Sequence, residues 1–134
     1  ANGVPTLTST VATDGGPMGM SFDLNGKYLY VAASTANAIN IYNVGSNGQL
    51  SRLSSGGTVQ VGNGPTCVSV SGAPSNANPR HAVYLYTSNS LSNNISGEQL
   101  NENDGTLVQM LGSPFGGSSL PACLVTVPAL PVRD

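Results

Sequence analysis

The stretch YLYVAASTANAINIYNVGSNGQL begins at Tyr28, and YLYTSNSLSNNISGEQLNENDGTL begins at Tyr84. A chain that spells nearly the same segment twice builds one supersecondary unit twice, and the spacing of that unit limits the folds open to it. The landmarks recur in one order. A glycine turn stands at Asn47-Gly48-Gln49-Leu50 and again at Asp104-Gly105-Thr106-Leu107, with a weaker echo at Asn2-Gly3-Val4. A proline opens an apolar stretch at Pro17, Pro65 and Pro121. From the first tyrosine to the turn glycine is 20 residues in one copy and 21 in the other, and from that glycine to the next proline is 17 and then 16. From proline to tyrosine takes 11 residues in the first copy and 19 in the second. The excess falls in SGAPSNANPRH, a Pro, Ser and Asn cluster that reads as an elongated surface loop between two strands.

Within each copy the pattern is that of β-structure. MGMSF, KYLYVAA, AINIYNV and TVQV are short runs of aromatic or branched residues bounded by Gly, Asn or Pro, and DLNGKYLYV sets Asn25-Gly26 where a tight hairpin needs positive φ. No stretch of useful length has helical periodicity. Four short antiparallel strands per period of roughly 40 to 50 residues is the pattern of a propeller blade. The expected fold is all-β, with about two full four-stranded blades and an extra strand at each end.

The quoted elements resemble the blade repeat of the β-propeller lactonase family, the group that includes 6-phosphogluconolactonase-like proteins and YVTN-type surface repeats. The second copy carries the likeness through YLYTSNS at Tyr84, SNNIS at Ser92, DGTL at Asp104 and GSPF at Gly112. The first carries it through NGKYLYVAAS and NAINIYNVGSNGQL, with SSGGTVQV in place of GSPF. Members of that family usually close a ring of seven blades, and this chain holds far fewer.

Counted as blades, residues 1–134 form one partial propeller domain with repeats at 17–64 and 65–120 and orphan strands at 6–11 and 122–127. Leu7 to Val11 reads as an outer strand without a preceding blade, and Ala122 to Val127 as an inner strand without a following one. Two blades cannot close a ring, and an open array leaves bare faces and unpaired edges. Leu7, Thr8, Val11, Cys123, Leu124, Val125 and Val127 are therefore the candidate assembly edges, and a homo-oligomer completed through them is the expected partner arrangement. The core expected from the strand pattern is Met20, Phe22, Leu29, Val31, Ile39, Ile41, Val68, Val70, Val83, Leu85 and Leu124.

Charge narrows the partners. Only 7% of residues are charged, against roughly 25% in ordinary soluble proteins. With a net charge of −2 and only Lys27, Arg52, Arg80 and Arg133 as cations, the chain cannot build the basic stripe that a phosphate backbone demands. Nucleic acid is not an expected partner. No run of 18 apolar residues is present, so no membrane span is read, and no charged and apolar leader follows Ala1. A polar surface of Ser, Thr and Asn, poor in Lys and Glu, fits an extracellular or cell-surface location, with the periplasm as the other choice.

The groups that carry chemistry are few. His81 is the lone histidine and reads as a loop-edge residue without defined partners. Asp23 and Asp104 occupy turns, where a carboxylate bonds its own backbone. Glu98 and Glu102 could form an acid pair or hold calcium, but the regular oxygen-ligand spacing is missing, and a solvated strand end is the expectation. The family resemblance implies ring-ester hydrolysis, which needs cationic or acid–base groups at the propeller mouth. Lys27 belongs to a hairpin tip and Arg52 to an outer strand, leaving Arg80 and His81 as the only basic neighbours. No catalytic residue, metal ligand or cofactor is assigned.

Cys67 and Cys123 hold the same place after a repeat proline. Packed sheets lie about 10 Å apart, and a disulfide needs α-carbons within roughly 7 Å, so a bond between the two is not expected within one regular array. Each then reads as a small buried apolar residue or as half of an intermolecular bridge. Asn94-Ile95-Ser96 is a formal glycosylation sequon. Two functions from different classes follow. One is a non-catalytic secreted or surface module that completes its partial propeller with identical copies, as a ring or filament. The other is a piece of a lactonase-like enzyme, or a ligand-binding propeller.

Overall fold

A computed structural model describes residues 7, 9–72, 83–117 and 119–126. They form two antiparallel sheets with no helix. The first, blade 1, contains β1 (Pro17–Phe22), β2 (Tyr28–Ala33), β3 (Ala38–Val44), β4 (Leu50–Arg52) and β5 (Thr58–Gln60). Blade 2 contains β6 (Pro65–Ser71), β7 (Val83–Asn89), β8 (Asn94–Leu100), β9 (Leu107–Gln109) and β10 (Phe115–Gly116).

Each blade has four strand positions, because its fifth strand is the second half of an interrupted outer strand. β4 pairs with Tyr42–Val44 and β5 with Ala38–Asn40 on the same edge of β3. Between them Leu53 N donates to Ile41 O and Ile41 N donates to Gly57 O, so residues 54–56 loop out around one residue of β3. Blade 2 repeats the device: β9 and β10 both pair with β8, and Gly97, the counterpart of Ile41, accepts from Met110 N and donates to Ser113 Oγ.

The hairpins follow from local chemistry. Asp23 is buried, and its carboxylate accepts from Tyr28 N at 2.8 Å and Asn25 N at 3.2 Å, while Gly26 takes φ 70°. Asp104 does the same work in blade 2, accepting from Thr106 N and Thr106 Oγ1. Both are the turn roles that the sequence assigned.

The main core lies between the blades. Tyr28, Tyr30, Ala32, Ile39 and Ile41 of blade 1 meet Val68, Val70, Val83, Leu85 and Leu100 of blade 2. Leu29, Val31 and Tyr42 face the other way and are covered by Val11, Val44 and Leu50. Of the expected core, Leu29, Val31, Ile39, Ile41, Val68, Val70, Val83 and Leu85 are buried.

Met20 and Phe22 are not: they are 62% and 54% exposed. They stand opposite Val31 and Leu29 in the β1–β2 ladder and so share their face, which looks away from blade 2 and has no blade against it among the described residues. Leu124 is only half-buried. The described parts of the expected orphan segments, Leu7, 9–11 and 122–126, form no strand.

Cys67 and Cys123 are joined as a disulfide with α-carbons 4.9 Å apart, contrary to the sequence expectation. The 10 Å spacing between stacked sheets holds for their middles. The inner strands of successive blades converge: a Cβ placed on Gly19 of β1 would lie 2.7 Å from Thr66 O and 2.9 Å from Cys67 Cα of β6. Gly19, Cys67 and Cys123 are each two residues past a repeat proline, so Cys123 approaches β6 as closely as β6 approaches Gly19.

Candidate functional site

Among the described residues the chemistry-bearing side chains do not gather into a pocket. Arg80, His81 and Arg133 lie outside the described residues, as do Thr8 and Val127. Arg52 is committed to Asp14 by two bonds, at 2.6 and 3.0 Å, which with the Asn40 amide hold the Asp14 carboxyl down at about 2. Glu98 and Glu102 are separated. Glu102 accepts from Asn25 Nδ2 at 2.8 Å, tying the β8–β9 turn to the hairpin of blade 1.

Glu98 is no solvated strand end. It is 2% exposed, stands opposite Leu85 on the face that meets blade 1, and its Oε2 has no hydrogen-bond partner among the described residues. Burial pushes its carboxyl up to about 7. The sequence hid this because position 98 corresponds to Tyr42 in the repeat, a position on the face turned toward the preceding blade, whose apolar signal the glutamate interrupts. The sequon is likewise committed: Ser96 is buried, and Asn94 Oδ1 accepts from Asn89 Nδ2 and Ser92 Oγ. Among the described residues no group of three or more His, Cys, Asp or Glu could hold a metal ion.

What the structure does assemble is a seam and two half-seams. At the seam, Tyr28 OH donates to Asn103 O and Tyr30 OH donates to Gly105 O, each at 3.0 Å. Gly105 has φ 75°, and a Cβ there would sit 2.4 Å from the Tyr28 ring, so only glycine lets the tyrosine lie on the turn. The socket on blade 2 that receives the two tyrosines includes Leu85 and Leu107, which belong to the same core cluster.

The outer face of blade 1 carries the counterpart socket, with no blade seated on it among the described residues. Val11, Leu29, Val31, Tyr42, Gly48 and Leu50 line most of a groove of about 330 Å³. Gly48, the counterpart of Gly105, has φ 78° and nothing within 4 Å of its Cβ position. On the outer face of blade 2, Tyr84 and Tyr86 stand where Tyr28 and Tyr30 stand in blade 1, half-buried, their rings 6.4 Å apart.

The connectors repeat as well. Ser34 N and Thr35 N donate to Gly16 O and Gly15 O, as Ser90 N and Leu91 N donate to Gly64 O and Asn63 O. Asp14 N donates to Asn40 Oδ1, as Gly62 N donates to Ser96 Oγ. Tyr42 OH adds a bond to Ala12 O at 2.8 Å. A third connector starts past β10: Leu120 precedes Pro121 with φ 52°, matching Gly16 at 71° and Gly64 at 62° before their prolines. Beyond it, residues 121–126 lie along β6, with Thr66 Oγ1 donating to Ala122 O and Thr126 Oγ1 to Val70 O.

Of the candidate assembly edges, then, Leu7 is exposed, Val11 is half-buried over blade 1, and Cys123 and Leu124 lie beside β6 with Val125 exposed.

No protein-family model and no curated protein matches the sequence. Solved structures do. The chain is similar to a proposed 6-phosphogluconolactonase from Bacteroides fragilis, with TM-score 0.72 and 22% identity over 92% of this chain and 33% of that one. It is also similar to a protein from Lactobacillus plantarum (TM-score 0.65, 16% identity, 90% and 32% covered). A proposed 6-phosphogluconolactonase from Bacteroides uniformis matches with TM-score 0.61 and 24% identity, over 81% and 28%. The chain thus spans about a third of the length of these structures, and the likeness is one of fold: blades of a lactonase-like β-propeller.

Proposed function

We propose that this chain is a non-catalytic propeller-building module, whose two outer faces take further blades of the same repeat from identical copies so that several units close a ring or extend a filament. The observation that carries this is the socket at Gly48 on one face, which no blade covers among the described residues, and the half-buried pair Tyr84 and Tyr86 on the other, the counterparts of the two halves of the seam already formed inside the chain. Exposed Met20 and Phe22 add apolar area beside that socket. The low charge of the chain leaves little repulsion to oppose stacking. An extracellular or cell-surface setting suits the composition. Sedimentation of the chain with and without reductant tests the reading: a species larger than one chain at micromolar concentration is expected, and a folded chain that stays single at every concentration under both conditions would overturn it.

One observation favours a second reading, that the two blades are consecutive blades within a larger lactonase-like ring. Connectors of the same geometry stand before β1 and after β10, so neighbouring blades could be joined through the backbone. Hydrolysis of a sugar lactone that is abolished by replacing Arg80 and His81 would favour this reading over the first.

A further inference from the structure

The repeat brings a conflict with it. Gly15–Phe22 and Ser119–Thr126 are the same eight positions of successive repeats, running through Pro17 and Pro121 and through Gly19 and Cys123. If a second copy seats its blade 1 on the outer face of blade 2, its β1 needs the place beside β6 that residues 119–126 already fill.

That place is held lightly. Residues 121–126 form no ladder with β6. They are held by the Cys67–Cys123 bond and by side-chain hydrogen bonds: Thr66 Oγ1 donates to Ala122 O at 2.7 Å, Thr126 Oγ1 to Val70 O at 2.6 Å and Thr126 N to Ser69 Oγ at 3.1 Å. Cys123 is exposed, and Cys67 is half-buried. The covalent link is the one contact that thermal motion cannot break.

We infer that residues 119–126 are a disulfide-latched strap that blocks blade 2 against a second copy, and that reduction of Cys67–Cys123 opens this face to the β1 and Gly48 socket of that copy. The inference rests on the self-completion reading above. The occupant is a second copy because the seam between blades 1 and 2 shows what such a face accepts: an inner strand brought close where one of the two residues standing two past the prolines is glycine, Gly19 against Cys67, and a glycine turn under the tyrosine pair. The incoming chain offers both, as Gly19 and Gly48. The chemistry balances with a dithiol reductant. Its thiolate attacks one sulfur of the latch, the S–S bond breaks, two electrons and two protons pass to Cys67 and Cys123 as thiols, and the dithiol closes to its own disulfide.

The test compares the full chain, oxidised and after treatment with dithiothreitol, together with Cys123→Ser and Phe22→Asp, by sedimentation velocity over a concentration series. At a fixed micromolar concentration, at least a twofold rise in weight-average mass is expected on reduction, and Cys123→Ser should show it without reductant. Phe22→Asp, altered at an exposed position of the bare face, should keep its fold and lose the rise. Near-UV circular dichroism of the tyrosines reports whether the reduced and Cys123→Ser chains stay folded, and protease cleavage within 119–126 should quicken on reduction whether or not the chains associate. Equal assembly of oxidised and reduced chains overturns the latch while leaving self-completion standing. No assembly of a folded, strap-released chain overturns both. Assembly that survives Phe22→Asp overturns the assigned face, and unfolding on reduction overturns the strap as a releasable part.

Discussion

The Tyr30 hydroxyl donates to the carbonyl oxygen of Gly105 at 3.0 Å, joining the second strand of one blade to the turn of the next. Tyr30 is fully buried, and burial pushes its hydroxyl well above the ordinary tyrosine range, so the proton of this bond is held firmly. The bond needs the turn to come within reach of the ring, which depends on the bare backbone of Gly105.

A matched pair of glycine substitutions measures that dependence. Gly48→Ala and Gly105→Ala impose the same left-handed strain, with φ 78° and 75°. Only the second meets a neighbour, the Tyr28 ring at 2.4 Å. The first should cost about 1 kcal/mol, and the second about 1 to 3 kcal/mol more through overpacking. Urea unfolding of the two variants reads the difference, and equal costs would mean that the seam is looser than the tyrosine contacts imply.

Burial of Glu98 makes stability depend on pH. Its carboxyl titrates at about 7 in the fold against the ordinary 4.5. Between those values the unfolded chain has released a proton that the folded chain still holds. The contribution is therefore complete below about 4.5 and is lost as the pH rises through about 7, a fall on the order of 3 kcal/mol. Glu98→Gln should flatten this part of the profile and be the more stable form at pH 8. Unfolding curves at pH 4.5, 6 and 8 check it, and a parallel fall in both chains would place the titrating group elsewhere.

The two faces of the blades should respond differently to truncation. Leu85→Ala removes a fully buried side chain from between the sheets and should cost about 2 to 5 kcal/mol. Met20→Ala, 62% exposed on the outer face, should cost under about 1 kcal/mol in the dilute chain. Thermal unfolding at low concentration separates them. If Met20→Ala becomes as costly as Leu85→Ala when the concentration rises, the outer face is covered in the associated state.

Local chemistry and repetition are matters of the sequence alone. The tyrosine, glycine and proline landmarks mark strands and turns because turns need positive φ and strands need branched or aromatic residues, and these preferences act over a few residues. Asp23 and Asp104 were legible for the same reason. The tertiary structure decided everything that depends on which blade faces which. Met20 and Phe22 have the pattern of core residues, yet their exposure follows from there being no blade, among the described residues, on their side of blade 1. Glu98 is buried because its position in the repeat points at blade 1, although its own side chain gives no such signal. Cys67 and Cys123, 56 residues apart in sequence, bond because the segment past Pro121 converges on β6 as β6 converges on β1. Convergence is a property of how sheets stack, and no single repeat carries it.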